Sequence, residues 1–291
     1  MKIFKGCLLA LAFGVAIPSV GSAQEASSHP RILQITREFT KPGKAGTVHD
    51  KAESAFVQAM AKAKWPTHYL GMTSLSGKQR ALFFTWYESF EAWEKDTAAT
   101  GKNATLSADL ERASEADGGL LDSMDQAVFL FNEEESLRPK GSGGIGHMRY
   151  LEVLVFHLKP GHYKEWDDLT KLVKAAYEKA DPEAHWGEYD LMYGGAGDTH
   201  LVLTSRATLA DIDKAMMGES KFMAALGEDG MKKFSELSAS AIESSESQLF
   251  AFNPRMSYAP DEWIKSDGDF WKPKPMMRAP KATTEEKKPT P

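Results

Sequence analysis

Two short stretches of this chain bring tryptophan, histidine and tyrosine together: Trp65-Pro66-Thr67-His68-Tyr69 and His185-Trp186-Gly187-Glu188-Tyr189. Histidine titrates near neutral pH, so it can shuttle a proton or ligate iron. Tryptophan and tyrosine can stack on a planar ligand. The plainer use of the same residues is to seal a helix-strand junction with the histidines in water. Arg37, Glu38 and His157 stand near the ends of apolar runs and add charge and a third imidazole; the plainer reading of Arg37 and Glu38 is a solvated strand end. Arg37, Glu38, Trp65, His68, Tyr69, His157, His185, Trp186, Glu188 and Tyr189 are therefore the ligand-binding candidates, and none carries a pattern that assigns it a catalytic role.

Other chemistries are excluded by spacing. No His-x-x-x-His or His-Glu-x-x-His pair exists, which removes zinc-protease chemistry. Gly194-Gly195-Ala196-Gly197-Asp198 lies between strands with no helix start behind it, so it reads as a hairpin turn rather than a phosphate cradle. There is no Gly-x-Ser-x-Gly elbow. Cys7 is the single cysteine, so the rest of the chain has no disulfide, thiolate nucleophile or thiolate metal ligand. Neither a metal site nor a cofactor is predicted. His147 and His162 are expected at the surface, and His200, at the start of a strand, on an exposed edge. Met216, Met217, Met223 and Met231 read either as core or as an adaptable apolar surface.

Hydrophobic residues make up 42% of the 291-residue chain and charged residues 26%, an ordinary globular balance that can bury a core. The formal charge is -6, which argues against nucleic acid as a partner. Lys2 and Lys5, the apolar run from Gly6 to Ile17, and Gly21-Ser22-Ala23 have the layout of a secretory signal peptide cleaved after Ala23. The run is shorter than the roughly 20 residues that span a bilayer. A bacterial periplasmic or secreted location is expected, with no membrane association after cleavage.

These candidates must be positioned by elements, and the elements recur. Lys41-Pro42-Gly43 and Lys159-Pro160-Gly161 each close an apolar run. Phe129-x-Phe131-Asn132-x-x-x-Ser136-x-x-Pro139 returns as Phe250-x-Phe252-Asn253-x-x-x-Ser257-x-x-Pro260. The offset drifts from 118 residues at Pro42/Pro160 to 121 at Phe129/Phe250, as expected of a diverged tandem duplication. Period-2 patterning predicts strands over 32–40, 69–74, 80–87 and 127–131, then 150–158, 188–193, 200–205 and 248–252. Helical spacing predicts helices over 48–64, after Ser89, and over 106–114, with counterparts over 163–180, after Thr208, and over 221–244 with a break near Gly227 and Gly230. The first helix should bury Val48, Ala52, Ala55, Phe56, Ala59 and Ala63. The expected division is a leader (1–23), a polar segment (24–30), repeat 1 (31–139), a Gly-rich linker (140–148), repeat 2 (149–260) and a largely disordered extension (261–291), in which Trp263, Phe270 and Trp271 can still pack on the body.

Each repeat has the order β-α-β-β-α-β, the ferredoxin-like order of an α+β fold. One sheet face remains bare after the helices cover the other, and two repeats can cover each other sheet to sheet. The apolar strand ending in Lys-Pro-Gly, followed by an amphipathic helix, resembles the dimeric α/β-barrel superfamily, including antibiotic-biosynthesis-monooxygenase-like (ABM-like) and NIPSNAP-like domains, over about Arg31–Pro139 and Arg149–Pro260. The resemblance implies an intrachain dimeric α/β barrel, a monomer with an internal pseudo-dimer, open to further oligomerisation. Its members include cofactor-free monooxygenases, haem-linked enzymes and proteins without a known activity. Two function classes follow. One is a protein that binds a small apolar or aromatic molecule between its repeats. The other is a monooxygenase-like or haem-linked oxidoreductase using a barrel histidine, His68, His157 or His185. A purely structural role for the barrel is a third class.

Overall fold

A computed structural model describes residues 30–139 and 144–272. The leader and its cleavage point, nearly all of the polar segment, the start of the linker (140–143) and the tail from 273 lie outside the described residues. The first half runs β1 (Ile32–Thr40), α1 (Thr47–Ala63), β2 (Tyr69–Ser74), β3 (Arg80–Tyr87), α2 (Phe90–Lys102), α3 (Ala104–Gly118) and β4 (Leu121–Leu137). The second runs β5 (Tyr150–Leu158), α4 (Tyr163–Ala180), β6 (Trp186–Tyr193), β7 (Thr199–Arg206), α5 (Ala210–Met217), α6 (Glu219–Ala241) and β8 (Ile242–Phe252), followed by α7 (Asp261–Ser266) and α8 (Gly268–Trp271).

The eight strands close into one antiparallel barrel in the order β1-β3-β2-β8-β5-β7-β6-β4. Within it the first half keeps the order β4-β1-β3-β2 and the second β8-β5-β7-β6, joined where β2 meets β8 and β4 meets β6. Both Lys-Pro-Gly turns need their glycine, with φ of 76° at Gly43 and 85° at Gly161. The repeated Asn-x-x-x-Ser motif has a mechanical use. Ser136 Oγ donates to Asn132 O at 2.6 Å and accepts the Glu188 N–H at 2.9 Å. Ser257 Oγ donates to Asn253 O at 2.7 Å and accepts the Gly71 N–H at 2.9 Å. Each copy thus clasps the end of a closing strand onto a strand of the other half. A side chain at Gly71 would run into the Met256 carbonyl at 2.4 Å, so this clasp needs a glycine.

Alternation along each strand separates two layers. Leu33, Ile35, Leu70, Met72, Leu82, Phe84, Phe129, Leu151, Val153, Leu201 and Phe250 form the core inside the barrel. Opposite residues such as Glu38 and His200 face the helices. Several expectations change. β4 and β8 are 17 and 11 residues long: their opening segments, 122–126 and 243–247, are exposed and mostly polar yet still pair with β1 and β5, and β4 also runs on through 132–137 beside β6. Such strands leave no hydrophobic period to read. α1 is rotated from its expected phase: Ala59 is buried as expected, but Val48 is 50% exposed and Ala55 is exposed, while His49, Glu53 and Val57 are buried. His200 is not on an edge, since β7 lies between β5 and β6, and it is buried. Met216 and Met217, at 70% and 72% exposure, are surface rather than core. The break in α6 falls at Gly227, with φ 68°.

The segment after Pro260 is ordered through Trp271 and plugs one end of the barrel. Trp271 is fully buried, packs against Phe252, Trp263 and Phe270, and donates from Nε1 to Gly146 O at 2.6 Å. Arg149 pairs with Asp267 and lies 3.9 Å over the Phe270 ring.

Candidate functional site

The end of the barrel opposite this plug is only partly filled. A cavity of about 290 Å³ lies there, with Phe39, Leu82, Val155 and Leu201 among its apolar walls and Arg37, Arg80 and His157 among its polar ones. That is at the small end of ligand pockets, which run from about 300 Å³ upward. Arg37 forms an ion pair with Asp125. His157 Nδ1 lies 2.9 Å from Thr199 Oγ1. Arg80 differs from both. It is 8% exposed, its Nη1 donates to Lys78 O at 3.0 Å, and its guanidinium lies 5.8 Å from the Phe39 ring centre and 5.2 Å from that of Phe250. Among the described residues it forms no ion pair, although Glu246 lines the same cavity. Burial lowers its pKa from the usual arginine value. A guanidinium has five N–H donors, so most of this one's hydrogen-bonding capacity is unspent.

Two further polar groupings sit on the other side of the sheet, beneath the helices. In the first half, β1 supplies Glu38, α1 supplies His49 and Glu53, and α3 supplies Asp117, all buried. In the second, β4 supplies Glu135, β6 supplies Glu188 and Asp190, and β7 supplies His200, under Trp166 of α4. In each group one donor atom per residue falls within 4.8 Å of the others, so these are the residues that could hold a metal. The second group is served by protein donors. Trp166 Nε1 donates to Glu135 Oε2 at 2.8 Å and to Glu188 Oε1 at 3.2 Å, and Asn132 Nδ2 donates to Asp190 Oδ2 at 3.1 Å.

Burial, followed by the neighbouring Glu188, pushes Glu135 up to about 9 from 4.5. Burial works to lower His200, but Asp190 and Glu188 prevail and raise it to about 9 from 6.5. Both groups hold in the folded state a proton that the unfolded chain releases at lower pH. Their stabilising contributions are complete below 4.5 for Glu135 and below 6.5 for His200, and are lost as pH rises to about 9. The urea midpoint should therefore be lower at pH 9 than at pH 6; an unchanged or higher midpoint at pH 9 would contradict this electrostatic assignment.

The sequence candidates do not form one site. Arg37 and His157 line the cavity. Tyr189 is packed in the barrel core against Phe131, with ring centres 5.4 Å apart. Glu38 and Glu188 belong to the two groups beneath the helices. Trp65 Nε1 donates to Asp96, and His68 stacks on Tyr258 at 4.5 Å. His185 is held by the backbone carbonyls of Glu183 and Ser205, and Trp186 Nε1 donates to Glu135 O. The Tyr69 hydroxyl is buried without a hydrogen-bond partner. Sequence reasoning missed Arg80, His49, Glu53, Asp117, Glu135 and Asp190, and the burial of His200. The signal available for one pair was His49 and Glu53 at i, i+4, which places them on one side of α1.

A larger groove, about 560 Å³, runs outside the barrel between α1 and α3. Its Lys62 and Arg112 both pair with Asp109, and the polar residues that line it are at the surface, unlike the buried Arg80.

No protein-family model and no curated protein matches this chain. Solved structures do resemble it. A putative monooxygenase from Fusobacterium nucleatum subsp. nucleatum ATCC 25586 is similar over 77% of this chain and 93% of its own, with 11% identity and a TM-score of 0.51. A putative monooxygenase from Lactobacillus acidophilus NCFM covers 77% and 94%, with 9% identity and a TM-score of 0.49. A chlorite dismutase variant from Candidatus Nitrospira defluvii covers 83% and 97%, with 10% identity and a TM-score of 0.46. At such identity the likeness is one of fold: the chain has the ferredoxin-like α+β architecture of the first of these structures.

Proposed function

We propose that this chain is an exported binding protein that holds a small amphipathic anion inside its barrel. The ligand's apolar or aromatic body lies among Phe39, Leu82, Phe84 and Val155, and its anionic group meets Arg80. The observation that carries this reading is the buried guanidinium, without an ion pair among the described residues, at the wall of a cavity lined mostly by apolar side chains. A charge in low dielectric is costly without a partner, and an anionic ligand supplies one. The barrel interior is read as the interface of two duplicated units facing each other across a pseudo-two-fold axis. The matched strand orders of the two halves and the paired Asn-Ser clasps support that reading. Export rests on the leader layout of Lys2, Lys5, Gly6–Ile17 and Gly21-Ser22-Ala23.

Native mass spectrometry of the mature protein purified from its own host tests the proposal. The expected spectrum carries one additional small anion per chain that is released on denaturation. A spectrum of bare protein under conditions that preserve complexes would count against it.

A second reading, a monooxygenase-like oxidoreductase, has one observation in its favour: His157 lines the same cavity and could move a proton for a ligand anchored at Arg80. Oxygen uptake with a bound hydroxyaromatic, abolished by His157→Ala, would establish it; binding without uptake would leave the first reading standing. A haem does not fit this cavity, which at about 290 Å³ is too small for a tetrapyrrole.

A further inference from the structure

The group beneath the first helix pair is short of hydrogen. His49 Nε2 lies 3.1 Å from Glu38 Oε2, 3.2 Å from Asp117 Oδ1 and 3.9 Å from Glu53 Oε1. One ring nitrogen carries at most one proton, and the aligned contact is the one to Glu38. Glu53 Oε1 and Asp117 Oδ1 are left without a hydrogen-bond partner, on side chains only 5% and 4% exposed. Buried carboxylate oxygens are rarely left this way, because each costs its full desolvation. The second half also has buried atoms without an aligned partner, Asp190 Oδ1 and His200 Nδ1, but Trp166 and Asn132 donate to its carboxylates and the Asp190 side chain is 41% exposed, so its charge is met by protein donors and solvent.

We infer that Glu38, His49, Glu53 and Asp117 form a binding site for one first-row divalent cation, of the Zn²⁺ or Mn²⁺ kind. The spacing fits. A tetrahedral centre with bonds of about 2.0–2.2 Å has ligand-to-ligand edges of about 3.3–3.6 Å, and the three distances from Nε2 bracket that range. One imidazole nitrogen with three carboxylate oxygens suits a borderline or moderately hard dication better than the soft ions that seek thiolates. The ligands come from β1, α1 and α3, so the ion would tie both helices to the barrel wall. In the metal-free state burial drives Glu53 up to about 9. Burial works to lower His49, yet Asp117 and Glu38 raise it to about 10. Protons thereby take up part of the charge that a cation would neutralise.

This site is independent of the barrel cavity, and its test does not involve the anion. The folded chain, stripped with EDTA and dialysed, is titrated with Zn²⁺ and Mn²⁺, with Mg²⁺ and Ca²⁺ as comparisons. The expected result is one Zn²⁺ or Mn²⁺ per chain by elemental analysis. A rise in Tm of roughly 5 °C or more is expected at about 100 times the dissociation constant. Co²⁺ should give the visible absorption of a low-coordinate N/O site. Glu53→Gln and His49→Gln should lose stoichiometric binding and the Co²⁺ spectrum, while Glu188→Gln in the second half should keep both. Wild-type protein that takes up no Zn²⁺ or Mn²⁺ and shows no Tm change overturns the site, whether or not the variants fold. Equal uptake by wild type and Glu53→Gln also overturns it.

Discussion

Replacing Trp271 with alanine is expected to destabilise the chain by about 3–5 kcal/mol, the usual cost of emptying a large aromatic position in a core. Trp271 is 1% exposed and fills the closed end of the barrel against Phe252, Trp263 and Phe270. Its loss also leaves the Gly146 carbonyl without the indole donor. For a chain of this size the change corresponds to a fall in Tm of roughly 10 °C. Thermal unfolding followed by near-ultraviolet circular dichroism measures it. A Tm within 2 °C or so of wild type would mean that the segment after Pro260 is not the barrel's plug.

Arg80→Leu is expected to act weakly on stability and strongly on binding. Relief of the buried charge's desolvation is offset by the lost Lys78 hydrogen bond, the contacts with Phe39 and Phe250 and the attraction of Glu246, so Tm should change little. A hydrogen bond to a charged group is worth about 1.5–3 kcal/mol, so affinity for 2-naphthoate should fall by roughly 10- to 100-fold. Calorimetric titration of wild type and variant reads the difference. The uncharged 2-methylnaphthalene should bind both proteins about equally. Equal affinity of both proteins for 2-naphthoate would remove Arg80 from the site.

The fold was legible because its signals are local and repeated. The Lys-Pro-Gly turns, the alternation in β1 and β5, and the Asn-x-x-x-Ser clasps each leave a periodic or positional trace. The site was much less so. Arg37 and His157 could be selected because they end apolar strands, but Arg80 opens β3 and reads as a turn cation until the barrel closes around it. The buried groups were hidden by the physics that makes them unusual. Hydrophobic spacing assumes that a buried face is apolar, and α1 buries His49 and Glu53 instead, which put its expected phase wrong. His200 reads as an edge residue in the sequence because strand position within a sheet is set by long-range pairing, with β5 and β6 on either side of β7, and not by its own neighbours.

The central claim is that the ligand sits inside the barrel with its charge at Arg80. It is tested most directly by an NMR titration of methyl-labelled and arginine-labelled protein with 2-naphthoate. The expected result is saturable shifts of the Leu82, Val155 and Leu201 methyls and the Arg80 Nε–H, with a single dissociation constant. Shifts confined to the outer groove at Val48 and Ala55, or to the exposed Met216 and Met217, would contradict it, as would no saturable shift at all.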